Sequence, residues 1–196
     1  MKRKYQLKKR AERRAETRER IVEAAVRLHT SIGPAATTIS AIAKEAGVQR
    51  HTVYAHFPDE DTLFSACSAH WIAAHPFPDV AALPLGAALE AIYGWYEGVA
   101  GAVALLLRDA ALYPGVWGQR NQRLAAVADA LAAPYGRGRG VRAATGHAIA
   151  FETWQSLVGR EGLSNRQAAD AMVSFVEAVG PRAGRPPTAR TPLRTP

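Results

Sequence analysis

The sequence predicts an all-α fold, and three observations predict it. Apolar residues recur at helical spacing through almost every informative segment, as at Ile21, Ala24, Ala25 and Leu28. No stretch alternates apolar and polar residues as a half-buried strand does. Proline and glycine cluster between the periodic segments, at Gly33-Pro34, Gly47, Pro76 to Pro84, Pro114-Gly115 and Pro134 to Gly140.

The elements follow in order. The stripe from Ile21 to Leu28 belongs to a first helix that extends back to about Ala11, and Ser31-Ile32-Gly33-Pro34 stops it. Thr38 is placed to cap a second helix, Ile39 to Ala46. Gly47 supplies a turn, because a tight reversal there needs φ > 0. A third helix spans about Gln49 to His56. Pro58 and the acids Asp59, Glu60 and Asp61 open a fourth, since carboxylates in a first turn complement the helix dipole; it runs to about Ala74. A proline linker follows, then five helical stretches near 85–97, 99–110, 117–133, 141–160 and 165–179. Residues 181–196 have no periodicity and much proline, so they are expected to be a disordered basic tail.

Composition narrows the function classes. The chain has 196 residues, 48% of them hydrophobic, enough for a substantial core, and a formal charge of +8. That charge sits at the ends. Residues 1–20 hold ten Lys/Arg against three Glu, and 181–196 hold four Arg and no acid, so the body between them is mildly acidic. A basic arm beside a helical hairpin suggests a polyanionic partner. Cys67 is the single cysteine, which excludes an internal disulfide and a multi-cysteine zinc site and fits a cytoplasmic setting. The N-terminus lacks the apolar core of a signal peptide, and the longest apolar run, Gly98 to Leu107, is about half the ~20 residues that span a bilayer, so no membrane partner is expected. No G-x-S-x-G, phosphate-cradling glycine loop, H-E-x-x-H or paired-carboxylate motif is present, and His70 and His75 do not share a helix face. Catalysis, cofactors and metals are therefore not expected.

The hairpin from Ile39 to Phe57 meets the needs of a DNA reader: a tight turn, packed helices and a free outer face on the second helix. Ile42, Ala46, Val48, Val53 and Phe57 form the inward set. At about 100° per residue, His51 and Ala55 then point outward, Thr52 and Tyr54 lie on the flanks, and Arg50 stands at the exposed N-terminal end. Arg, His, Thr and Tyr are donors suited to phosphates and base edges.

Residues 18–64 resemble the DNA-binding domain of the TetR/AcrR family of transcriptional regulators. The resemblance lies in Arg18, Ile21, Ala24-Ala25, Leu28, Gly33, Thr38, Ile42-Ala43, Ala46-Gly47-Val48, Thr52-Val53-Tyr54, His56-Phe57 and Leu63. It implies a basic arm (1–17), a three-helix helix-turn-helix domain (18–65), a helical ligand-binding and dimerisation domain (66–180) and the tail (181–196). It also implies that Thr38 and Ser40 meet the backbone, that Arg50, His51 and Thr52 approach base edges, and that Tyr54 and His56 bind phosphates. Lys8, Lys9, Arg10, Arg13 and Arg14 of the arm would add contacts along the backbone or in the minor groove. Two departures stand out. His51 occupies a place where many members have Gly or Pro, and Glu60 replaces a frequent phosphate-binding Lys.

The implied function is a ligand-responsive regulator, by family default a repressor. It would bind an inverted-repeat operator as a homodimer through helices about 141–160 and 165–179, and a small-molecule effector would release it. Trp95, Tyr96, Trp117, His147, Phe151 and Gln155 are the candidate pocket residues, as aromatics with a few polar groups typify such sites. The alternatives are a non-specific nucleic-acid binder driven by the arm, and a regulator-like protein whose DNA binding Glu60 has impaired.

Overall fold

The computed structural model describes residues 2–180, which are all-α as expected, with no strand among them. The expected tail, 181–196, lies outside the described residues. Nine helices follow one another: α1 (Lys2–Ser31), α2 (Ile39–Glu45), α3 (Arg50–His56), α4 (Glu60–Ala74), α5 (Leu85–Arg108), α6 (Pro114–Ala132), α7 (Arg139–Ala148), α8 (Phe151–Trp154) and α9 (Asn165–Val179). None is long and apolar enough to cross a membrane.

Two apolar cores divide the molecule. The first gathers Ile21, Ala24 and Ala25 of α1, Ile42 and Ala43 of α2, Val53 and Phe57 at α3, and Leu63, Phe64 and Cys67 of α4. The second is built on Leu85, Leu89, Ile92, Tyr93 and Tyr96 of α5, which pack against Leu131, Val141, Phe151, Trp154 and Val176.

Local chemistry sets the boundaries of the first unit. The Thr38 hydroxyl accepts from the Ala41 amide at 3.1 Å and starts α2. Gly47 turns the chain with φ 66°. Asp59 accepts from the Thr62 amide at 2.7 Å and starts α4, which leaves Glu60 and Asp61 in a favourable first turn.

Three boundaries differ from the sequence reading, each for a physical reason. First, α1 reaches back to Lys2, so the basic arm is helical and continuous with the domain helix. Its Arg, Lys, Glu and Ala residues are all good helix formers. Second, 85–97 and 99–110 are one helix, α5; Gly98 sits exposed within it, and its low propensity is overridden by the packing of the opposite face.

Third, the helix expected over 141–160 breaks at Ile149-Ala150, where Ala150 is extended, and the chain after α8 continues as a π-helical turn over Gln155–Arg160. The break leaves backbone carbonyls without helical partners, and side chains satisfy them. The Tyr93 hydroxyl donates to the Ala148 carbonyl at 2.7 Å, and Tyr96 donates to Ile149 at 2.8 Å. Thr153 donates to the His147 carbonyl at 2.6 Å. These donors come from a distant helix and from the next turn, so no local pattern foretold the break.

One buried titratable pair lies in the first core. His29 is 5% exposed, and its Nδ1 lies 3.3 Å from the Cys67 sulfur. Burial lowers the imidazole to a pKa of about 4 and pushes the thiol up to about 12, so both are neutral near pH 7. The unfolded state therefore takes up a proton at His29 before the folded state does. Stability should fall as pH drops from about 6.5 towards 4, by roughly 3 kcal/mol from this residue at the acid end. Urea unfolding at pH 6.5 and 5, where carboxylates are still largely ionised, should show most of that slope removed in His29→Leu.

Candidate nucleic-acid interface and effector cavity

The hairpin places its polar residues as helical geometry demands. Val53 and Phe57 are buried, whereas Arg50, His51 and Ala55 are exposed and Tyr54 is 45% exposed. Thr52 and His56 are half-buried on the flanks. Thr38 and Ser40 are exposed at the N-terminal end of α2. One outer face of α2 and α3 thus collects the donors that the sequence singled out around the reading helix.

The arm joins this face through α1. Arg10, Arg14 and Arg18 repeat every four residues and so lie along one stripe of the helix. The stripe ends against α3. The Arg18 guanidinium lies over the Phe57 ring, 4.8 Å from its centroid. The His56 pKa is lowered by partial burial and then by the charges of Arg14 and Arg18. Three cationic or cationisable groups therefore gather at the C-terminal end of the reading helix. Arg18 was not among the sequence candidates as a DNA contact; its four-residue register with Arg10 and Arg14 was the available signal. Lys8, Lys9 and Arg13 are also exposed on this helix, and Lys8 lies 3.9 Å from Glu12.

A helix about 10–12 Å across does not fit a minor groove about 6 Å wide. While helical, the arm is suited to phosphates along the groove edge and not to insertion.

Glu60 is exposed in the first turn of α4, one residue after the capping Asp59. It is oriented by its helix terminus and has no ion-pair partner among the described residues.

The second domain has a half-open cavity of about 420 Å³ between α5, α6 and the α7–α8 break. Of the six candidate pocket residues, Trp117 and Phe151 line it. The other four lie elsewhere. Trp95 packs edge-on against Trp71 and Phe77. Tyr96 is buried with its hydroxyl on the Ile149 carbonyl. His147 contacts Thr153 and the Phe175 ring, and Gln155 is exposed in the π turn. The break at Ile149-Ala150 takes His147 and Phe151 off a common straight face. The cavity also takes in Arg120, Asn121 and Glu152, which no aromatic stripe could have indicated.

The two units meet at the connection between α5 and α6. The Asp109 carboxylate, largely buried, accepts from the Ala35 amide at 2.9 Å and from its neighbour Arg108 at 2.7 Å. Arg108 also donates to the Ile32 carbonyl at 3.2 Å. Hydrogen bonding from Arg108 holds Asp109 below the usual carboxylate range. Gly33, with φ 91°, lets this clamp close: a Cβ there would overlap the Arg108 guanidinium and come within 2.7 Å of the Asp109 carboxylate. Nearby, Tyr113 stacks on Phe64 of α4 with ring centroids 3.7 Å apart. The polar link runs from the end of α5 to the turn after α1.

Comparison with known proteins agrees with this organisation. Residues 21–67 match the family model described as bacterial regulatory proteins, tetR family. The chain is 46% identical over 50 residues to the HTH-type transcriptional regulator AcrR of Shigella flexneri, covering 26% of this chain and 23% of that one. It is 43% identical over 53 residues to the uncharacterized HTH-type transcriptional regulator YerO of Bacillus subtilis (strain 168), covering 26% of this chain and 18% of that one. The matched segment thus spans less than a quarter of either relative. Over most of the chain the likeness is one of fold. The multidrug binding protein EbrR, solved in complex with imidazole, superposes with TM-score 0.56 and 22% identity, covering 86% of this chain and 92% of that one. A putative TetR-family transcriptional regulator from Mesorhizobium loti MAFF303099 superposes with TM-score 0.53 and 21% identity over 85% of this chain and 98% of that one. Residues 21–67 thus carry the helix-turn-helix unit of the tetR family, and the overall fold is shared with these solved structures along most of the chain.

Proposed function

We propose that the protein is a transcriptional regulator that binds an inverted-repeat DNA operator as a homodimer and is released from it by a small-molecule effector. The observation that carries this reading is the outer face of α2 and α3, where Arg50, His51, Thr52 and Tyr54 stand clear of the buried Val53 and Phe57 and run into the cluster of His56, Arg14 and Arg18. The roles follow from the chemistry. Arg50, His51 and Thr52 approach base edges; Thr38, Ser40, Tyr54 and His56 hold phosphates. The helical arm extends the phosphate contacts through Arg10 and Arg14, with Lys8, Lys9 and Arg13 on adjoining faces.

Dimerisation is supported by the surface of α7 and α9, where Phe175 is 43% and Val179 40% exposed beside exposed Ala143 and Ala171. Pairing these helices between two copies would bury that surface and set two reading helices about 34–36 Å apart. Effector binding in the cavity would favour a different angle between the units and shift the population off DNA, with the Asp109 clamp as the joint. Repression is the sign that this release mechanism implies when the operator overlaps a promoter. The cytoplasm is the compartment in which such a regulator meets its operator.

Selection of sites from random double-stranded DNA tests the whole reading. The expected product is an inverted repeat with half-sites about one helical turn apart. Enrichment of no sequence, with equal affinity for all DNA, would replace this reading with non-specific binding through the arm.

The arm and Glu60 make separate predictions. The double variant Arg10→Gln/Arg14→Gln should weaken operator binding and reduce the slope of log K against log[salt] by about four, about two for each subunit of the dimer, as roughly one counterion is released per phosphate contact. An unchanged slope means that the arm does not touch the backbone. Glu60→Lys should tighten binding to every DNA several-fold, raise the salt slope by about two, about one for each subunit of the dimer, and leave the selected sequence unchanged. It should also cost about 0.5 kcal/mol of thermal stability, because a cation replaces an anion at a helix N-terminus.

A further inference from the structure

The cavity holds one cation, Arg120, and one carboxylate, Glu152. Arg120 of α6 lines it half-buried, with its guanidinium 5.1 Å from the centroid of the Trp117 ring. Among the described residues, Arg120 forms no ion pair with a carboxylate. Burial lowers its pKa, and the neighbouring Tyr96 and Glu152 only partly oppose that shift. The Trp117 ring under Arg120 also lines the cavity. A partly buried guanidinium left without an acceptor is costly unless something else satisfies it.

Apart from Asn121 and Glu152 the remaining wall is apolar, formed by Leu107, Leu124, Ile149 and Phe151 among others. Its one carboxylate, Glu152, is exposed and occupies the first turn of α8, where the helix terminus already stabilises it. A cavity of about 420 Å³ is in the range of small-ligand sites.

We propose that the effector cavity binds an aromatic carboxylate, with the carboxylate on the Arg120 guanidinium and the ring against Leu107, Leu124 and Phe151. This rests on the reading of the protein as ligand-responsive and names the chemical class of that ligand. Guanidinium and carboxylate are matched in geometry and charge, and the stacking of Arg120 on Trp117 pre-orients the donor.

Three isosteric probes test the charge preference: 2-naphthoate, neutral 2-naphthamide and cationic 2-naphthylmethylamine, each titrated into the full-length protein by calorimetry. Naphthoate should bind at least about tenfold more tightly than the amide, the scale of one charge-assisted hydrogen-bonded contact, and the amine most weakly. Arg120→Gln should abolish the preference for naphthoate while leaving naphthamide binding within about twofold. Glu152→Gln should leave naphthoate binding intact or improve it. Thermal melting of each variant establishes that it is folded.

Tightest binding of the amine, or a naphthoate preference that survives Arg120→Gln in a folded variant, would overturn the assignment and leave the ligand-responsive reading standing. Binding of none of the three probes would overturn the assignment together with the cavity as an effector site.

Discussion

The contact on which the arrangement of the two units depends is the clamp between Asp109 and the turn that follows α1. A buried carboxylate accepts a backbone amide from Ala35 while the adjacent Arg108 takes the Ile32 carbonyl. The turn cannot satisfy these groups internally, because Gly33 and Pro34 end the helix there and leave its last carbonyls and the next amides unpartnered. The end of α5 supplies both complements at once. The requirement that buried polar groups be paired thus joins the reading unit to the rest of the molecule, and Gly33 keeps the space in which the pairing closes. The stack of Tyr113 on Phe64 adds an apolar contact beside it, only a few residues before Trp117 at the cavity. A change in the cavity therefore has a short, packed route to the turn that precedes the reading hairpin.

The same rule shapes the second unit. A helix that stops at Ala148 and restarts at Phe151 leaves carbonyls that Tyr93 and Tyr96 complete from α5. These two tyrosines consume their polar ends in the scaffold and are not offered to a ligand. The break brings Phe151 and Glu152 to the cavity wall opposite Trp117 and Arg120. Further along, Trp154 donates to Asn165, whose amide reaches Glu97 on α5, so the π turn is anchored at its start. Arg120, which forms no ion pair among the described residues, lines the cavity, and the buried N–H groups of Trp95 and Trp117 find no acceptor in the scaffold.

On the reading unit, burial decides orientation. Once Val53 and Phe57 are committed to the core, a seven-residue helix has no freedom in the direction that Arg50, His51 and Tyr54 take. The continuity of α1 through the basic segment makes the arm a rigid extension of a core helix. Arg14 and Arg18 stand at the end of α3 because Ile21 and Ala25, a turn or two further along the same helix, are fixed in the core.

The sequence by itself determined the helical class, the hairpin, its turn at Gly47, its cap at Thr38 and the outward set on α3. Each of these follows from interactions within a few residues: periodicity, a positive φ, a side chain reaching the third amide ahead. Tertiary structure alone decided where the long C-terminal helix breaks, which aromatics line the cavity, and that Arg120 rather than Gln155 lies in its wall. It also decided that Gly98 stays within a continuous α5 and that the reader is tied through Asp109. These depend on groups brought together from distant parts of the chain, such as Tyr93 with Ala148 and Asp109 with Ala35. A linear pattern carries no record of such pairs, since each partner reads locally as an ordinary helical residue.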